Sequence, residues 1–124
     1  LQRWHVDGTR PLYRLASEEP GIVEEFIGCN FSVDRRWALQ IGGFDERFLK
    51  VAYRYEAEFA DRARRAGVTV AFSPRAALYH LRAQRGGTRS FGDHLRTLGP
   101  AHAVGGYYFL LRARPADWFR QFVS

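Results

Sequence analysis

Hydrophobic and polar positions change period several times along the chain, and each change marks an element. Leu1 to Pro20 holds no steady period: Trp4, Leu12, Tyr13 and Leu15 are interrupted by Gly8, Pro11 and Pro20. The run GIVEEFIGCNF is β-branched and aromatic between glycines, which predicts a strand over Ile22 to Ile27 and a tight turn at Gly28. Ser32 is placed to cap a short helix carrying Val33, Trp37, Leu39 and Ile41 and stopped by Gly42. Phe44 to Ala52 reads as loop. A better-marked helix follows, with Phe59, Ala60, Ala63 and Ala66 at helical spacing, arginines on its other face and Gly67 as its stop.

VTVAF (Val68 to Phe72) predicts a buried strand ended by Pro74, and Ala76 to Leu81 a second short one. Gly86-Gly87 opens a basic loop flanked by Arg82, Arg85 and Arg89. Past Gly99-Pro100 the apolar pattern predicts two helical pieces split at Pro115. No repeat or low-complexity tract is present. The order of elements indicates one α/β domain over residues 1–124, a short mixed sheet packed with helices.

Composition narrows this picture in three ways. A length of 124 residues suits one domain and not two. The net charge of +6 comes from arginine, Lys50 being the single lysine, and arginine favours flat, two-pronged contacts with phosphate or carboxylate. Arginine enrichment also follows from a GC-rich genome, so charge alone selects no partner. Cys29 is the single cysteine, which excludes an internal disulfide and a cysteine-rich zinc cage and fits a reducing, cytoplasmic setting. No apolar run reaches the roughly 20 residues that cross a bilayer. The chain opens on Leu1 and contains no Met, and it reads as a piece of a longer polypeptide.

Candidate chemistry gathers where the second helix begins. Glu56 and Glu58 would interact favourably with the positive end of the helix dipole, and such acids commonly do no more than stabilise. Positions two apart do not share a helical face, so if both function they have different tasks. One could take a proton from an attacking hydroxyl while the other orients a substrate or loop. His80 closes the short run LYH and is either an ordinary strand-end residue or a metal ligand completed by carboxylates. The arginines around Gly86-Gly87 either grip a diphosphate or form a solvated loop, with equal weight. Asn30, Asp45 and Glu46 either bond sugar hydroxyls or cap turns.

In succession, GCNFSVDRRWALQIGGFDERF, YEAEFADRARRAG and VAFSPRAALYH resemble the acceptor half of the inverting glycosyltransferases of family two, which have the GT-A fold. The resemblance covers about residues 26–89 and lies in the ensemble: glycine-asparagine, an arginine-bearing helix, G-G-F-D-E, an acidic motif, an arginine-rich turn ending in glycine, and a strand closing on histidine. It implies a partial GT-A-type domain, the C-terminal acceptor-binding portion of a transferase. By register from Arg62 and Gly67, Glu56 falls on the catalytic base and Glu58 on the later acid of its motif. Tyr55 stands where the family has its first acid. His80 matches the histidine that helps hold the metal, and HLRAQRGGTR is similar to a glycine-arginine loop of a bacterial subgroup.

The family's D-x-D pair, which carries metal and diphosphate, has no counterpart here, Asp7 and Asp34 being isolated. The resemblance therefore implies that the nucleotide-binding half lies elsewhere. It also implies a nucleotide-sugar donor, a saccharide or lipid-linked acceptor, and Mg²⁺ or Mn²⁺ in the whole enzyme, with Asn30, Asp45, Glu46, Glu58, Arg85 and Arg89 as substrate contacts and His80 as metal ligand. The expected setting is bacterial envelope polysaccharide synthesis. Separated from that half, the piece is expected to be inactive and to self-associate through bare apolar surface. Tyr107 to Leu111 beside Arg112 and Arg114 either touch a membrane surface or cover the core, and the second is expected. Two other classes compete. One is a basic module binding an anionic polymer or nucleic acid, against which the scattered arginines speak; the other is a degenerate, structural transferase remnant.

Overall fold

The computed structural model describes residues 17–79, 86–92, 96 and 99–113. Their elements are β1 (Gly21–Ile22), α1 (Arg35–Gln40), α2 (Tyr55–Arg65), β2 (Ala71–Phe72) and α3 (Val104–Ala113), with 3₁₀ turns at Gly87–Phe91 and Pro100–His102. Helices and a small two-stranded sheet make this an α/β arrangement in the general sense.

Both early helices stop as glycine predicts. After α1, Gly42 takes φ +90°, its N–H bonds the Leu39 carbonyl at 3.0 Å, and the Gly43 N–H bonds Ala38 at 2.8 Å. After α2, Gly67 takes φ +85° and bonds Arg64, while the Val68 N–H returns to Ala63. These paired return bonds satisfy carbonyls that a helix end leaves open, and the left-handed φ favours a residue without a Cβ.

The start of α1 differs from expectation. Asp34, not Ser32, is the cap, its carboxylate accepting the Trp37 N–H at 3.0 Å. Replacing Asp34 with Ala should cost about 1 kcal/mol, read as a lower midpoint in denaturant unfolding. No measurable loss would show that Ser32 can take over as cap.

The strands are shorter than the apolar pattern predicts. Ile22 to Ile27 and Val68 to Phe72 reduce to β1 and β2, two residues each, paired antiparallel with Gly21 opposite Phe72 and Ile22 opposite Ala71. One further bond, Val23 N–H to the Val70 carbonyl at 2.9 Å, extends the ribbon. The expected mixed sheet is thus an antiparallel ribbon among the described residues, and residues 76–79 form no strand; Leu81 lies outside them. Beyond Val23 the chain leaves the ladder because its side chains are claimed elsewhere: Glu25 is buried against Arg54, and Phe26 packs on Phe59.

α2 is the spine. Ala57, Phe59, Ala60 and Ala63 are buried along it, and the small alanines let neighbours come close. On one side Phe59 stacks on Phe44 (ring centroids 4.4 Å apart), and Phe26 and Phe31 extend the aromatic layer. On the other, Phe48, Ala57 and Phe109 form a cluster that brings α3 onto α2, with Ala52, Tyr55 and Tyr108 around it. Ala66, expected on the apolar face, is exposed. Phe44 to Ala52 is loop as predicted, with left-handed φ at Lys50 and Ala52. The second helical piece expected after Pro115 lies outside the described residues. Among those residues no helix is long and apolar enough to cross a membrane.

Candidate active site around Glu56

The first turn of α2 is positioned by an ion pair that connects distant parts of the chain. Arg54, the residue before α2, has φ +75°, uncommon for a residue with a side chain. Its guanidinium makes two bonds of 3.0 Å to the buried Glu25 carboxylate and lies over the Phe109 ring at 4.6 Å. Glu25 and Arg54 therefore tie the segment leading to Gly28 against the start of α2. The following residues bring the Gly28 N–H to the half-buried Glu56 carboxylate, where it donates to Oε1 at 3.1 Å.

Gly28 is a position of close approach. A Cβ built there would meet the Tyr55 hydroxyl and would stand 2.6 Å from Glu56 Oε1. No donor among the described residues reaches Glu56 Oε2, and no buried side-chain polar atom lacks a partner, so Oε2 stays open to solvent. Burial pushes the Glu56 carboxyl above the ordinary glutamate range, opposed by its own backbone N–H, the Gly28 N–H and Arg54, and assisted by Glu25. The Tyr55 phenol is likewise raised, by burial first and then by Glu56 and Cys29. A carboxylate with one oxygen held, one open, and a raised proton affinity is suited to accept a proton.

The other predicted contacts are disposed differently. Glu58 points away from any opening: its side chain is 3 % exposed and accepts two bonds from Arg62, at 2.7 and 2.8 Å. As placed it braces the helix and offers no substrate contact, a correction to the expectation from its motif. The two acids stand in different surroundings, Glu56 against the Gly28 N–H and Glu58 against Arg62. Asp45 is also committed internally. Its carboxylate takes two bonds from the Arg47 guanidinium and one from the Arg47 backbone N–H, one from the Tyr108 hydroxyl at 2.9 Å, and an ion pair from Arg112 at 3.1 Å. The Asn30 amide donates to the Ala76 carbonyl at 2.7 Å and so tethers its loop to the turn after β2. Glu46 and Arg89 are exposed, Arg89 in the Gly87–Phe91 turn, while His80 and Arg85 lie outside the described residues.

No three His, Cys, Asp or Glu side chains gather into a metal-binding group among the described residues. The described residues do not by themselves form a shell for Mg²⁺ or Mn²⁺. Several arginines among the described residues are committed to carboxylates. Arg54, Arg62, Arg65 and Arg112 are paired with Glu25, Glu58, Asp61 and Asp45. Such pairing leaves less of their charge for phosphate neutralisation.

Asp45 carries a pH prediction. The Arg47 guanidinium beside it, with the Arg47 backbone N–H and the Tyr108 hydroxyl, holds its carboxyl well below the usual carboxylate range, against the effect of burial. A depressed folded pKa contributes stability that is complete above the unfolded value of about 3.9 and fades as pH falls below it. Asp45→Asn should therefore lower stability by about 2 kcal/mol near neutral pH, with the gap to the parent narrowing below about pH 4. Denaturant titrations at several pH values check this, and a gap that stays constant into strong acid would contradict it.

Sequence reasoning missed the Glu25–Arg54 pair and the role of the Gly28 N–H. The residue types were visible, but nothing local joins positions 28 and 29 residues apart. Comparison with family models, curated proteins and solved structures finds no match to this chain.

Proposed function

We propose that this chain is the acceptor-side portion of an inverting glycosyltransferase, with Glu56 as the base. The observation that carries the proposal is the Glu56 carboxylate: half-buried in the first turn of α2, anchored through Oε1 by the Gly28 N–H, with Oε2 open. The resemblance of residues 26–89 to family two supplies the reaction class. The finer GT-A architecture, with a nucleotide-binding half contributed from outside this chain, belongs to the same proposal.

In this mechanism an acceptor hydroxyl lies at Glu56 Oε2. Its proton passes to the carboxylate as its oxygen forms a bond to the anomeric carbon of the donor. The opposite bond, from that carbon to the diphosphate oxygen, breaks, and the electron pair leaves with the nucleoside diphosphate. Attack from the far face inverts the configuration. Raising the pKa of Glu56 by burial strengthens it as a base at the pH where it is still ionised. A divalent metal, if held by the donor half with His80, would neutralise the leaving diphosphate.

The test is product chemistry. A protein joining this chain to its nucleotide-binding half is incubated with nucleotide sugars and saccharide or lipid-linked acceptors. Release of nucleoside diphosphate together with an inverted product supports the proposal, whereas retention of configuration, or no transfer with any donor, overturns it. The basic-module alternative predicts instead a polymer affinity that falls steeply with salt.

A further inference from the structure

Gly28 does more than turn the chain. We propose that its main-chain N–H is the positioning group of the Glu56 base: it holds Oε1 so that Oε2 alone is presented to the acceptor hydroxyl. This role rests on the transfer function proposed above. Three observations place it there. The N–H to Oε1 distance is 3.1 Å, bridging residues 28 positions apart. The approach tolerates no side chain, since a Cβ at Gly28 would stand 2.6 Å from Oε1 and also collide with the Tyr55 hydroxyl. Finally, the loop is itself fixed on both sides, by Glu25 on Arg54 before it and by the Asn30 amide on Ala76 after it.

Such fixation has a chemical consequence. A carboxylate free to rotate would offer either oxygen in many orientations, while one oxygen pinned to an amide leaves the other in a single direction. Positioning of this kind lowers the entropy that a proton transfer must otherwise lose. The amide bond also favours the ionised, proton-accepting form, in part offsetting the effect of burial.

The experiment needs no substrate. The ¹³C,¹⁵N-labelled 124-residue chain is titrated from acid to neutral pH, following the Gly28 amide and the Glu56 carboxyl carbon. The charged and titratable groups facing Glu56 are Arg54, Glu25 and Tyr55, and Tyr55 in turn faces Cys29. Tyrosine and cysteine ordinarily titrate above about pH 8, so Glu25 is the group to separate, and Glu56→Gln separates it. The expected result is a Gly28 amide shift with the same midpoint as the Glu56 carboxyl, lost in Glu56→Gln. A Gly28 amide that ignores Glu56, or that still titrates in Glu56→Gln, overturns the proposal.

Gly28→Ala adds a second reading. The new methyl group must displace the carboxylate, so the Glu56 midpoint should move; an unchanged midpoint in a folded variant also overturns the proposal. If Gly28→Ala loses its dispersed amide spectrum, the parent and Glu56→Gln titrations decide. Failure here removes the anchor while leaving Glu56 as base open to the kinetic test, and the two outcomes stay distinct.

Discussion

Glu56→Gln, in an enzyme that contains both halves, should lower turnover by ~10²–10⁴-fold while leaving affinity for the nucleotide donor within a few-fold. The substitution keeps the volume and keeps an oxygen for the Gly28 N–H, which now donates at 3.1 Å to Oε1. It removes the negative charge and with it the capacity to take a proton. Because burial raises the carboxyl's pKa, the acid limb of kcat/KM in the parent enzyme should lie above the ordinary glutamate value of about 4.3. The base works only when ionised, so the rate rises with pH through that limb. Turnover within a few-fold of the parent would eliminate Glu56 as the base, and a weakened donor affinity would instead assign it to binding.

Arg62→Leu should destabilise the fold by about 3–5 kcal/mol, the usual cost of removing one partner from a buried ion pair. Folded domains retain only about 5–15 kcal/mol in all, so this is a large share. Arg62 has three attachments. Its guanidinium binds the Glu58 carboxylate, donates to the Ile41 carbonyl at 2.5 Å, and donates to the Gly43 carbonyl at 2.7 Å. It also lies 5.5 Å from the centre of the Phe59 ring. One side chain therefore joins α2 to the turn that ends α1, and its loss leaves Glu58, 3 % exposed, with the longer 3.4 Å contact from Arg112.

The double change Glu58→Leu with Arg62→Leu separates these roles. It should recover part of the loss, because no uncompensated charge remains. Full recovery is not expected, since the Ile41 and Gly43 carbonyls stay without their donor. Arg112, 3.4 Å from Glu58 Oε1, would retain its partner in Asp45. Denaturant midpoints of the single and double variants measure the coupling. A loss under 1 kcal/mol for Arg62→Leu would show that water replaces the guanidinium at no great cost.

Several features of this protein are local and were legible before any coordinates. Gly42 and Gly67 stop helices because a left-handed backbone step is a property of the residue itself. Phe59, Ala60 and Ala63 marked a buried helical face, and the loop over Phe44 to Ala52 followed from the break in period. Glu56 at the head of a helix could be named, though its partner could not. Where two residues compete locally, the pattern failed: Ser32 and Asp34 are both competent caps, and Asp34 won. The strand readings failed for another reason. Apolar β-branched runs predict burial, but a ladder needs a neighbour to pair with, and here Glu25 and Phe26 are drawn toward α2.

What the amino-acid order determined by itself was the presence of α1, α2 and α3, the glycine stops of the first two, and the acids at the start of α2. Only the tertiary structure decided which of those acids keeps an oxygen unpaired. Glu58 is held by Arg62, Asp45 by Arg47, Tyr108 and Arg112, while Glu56 keeps one oxygen open. The physical reason is that a carboxylate's chemistry depends on its solvation and its donors, and those are supplied by residues brought near through folding. Distance along the chain carries no trace of them.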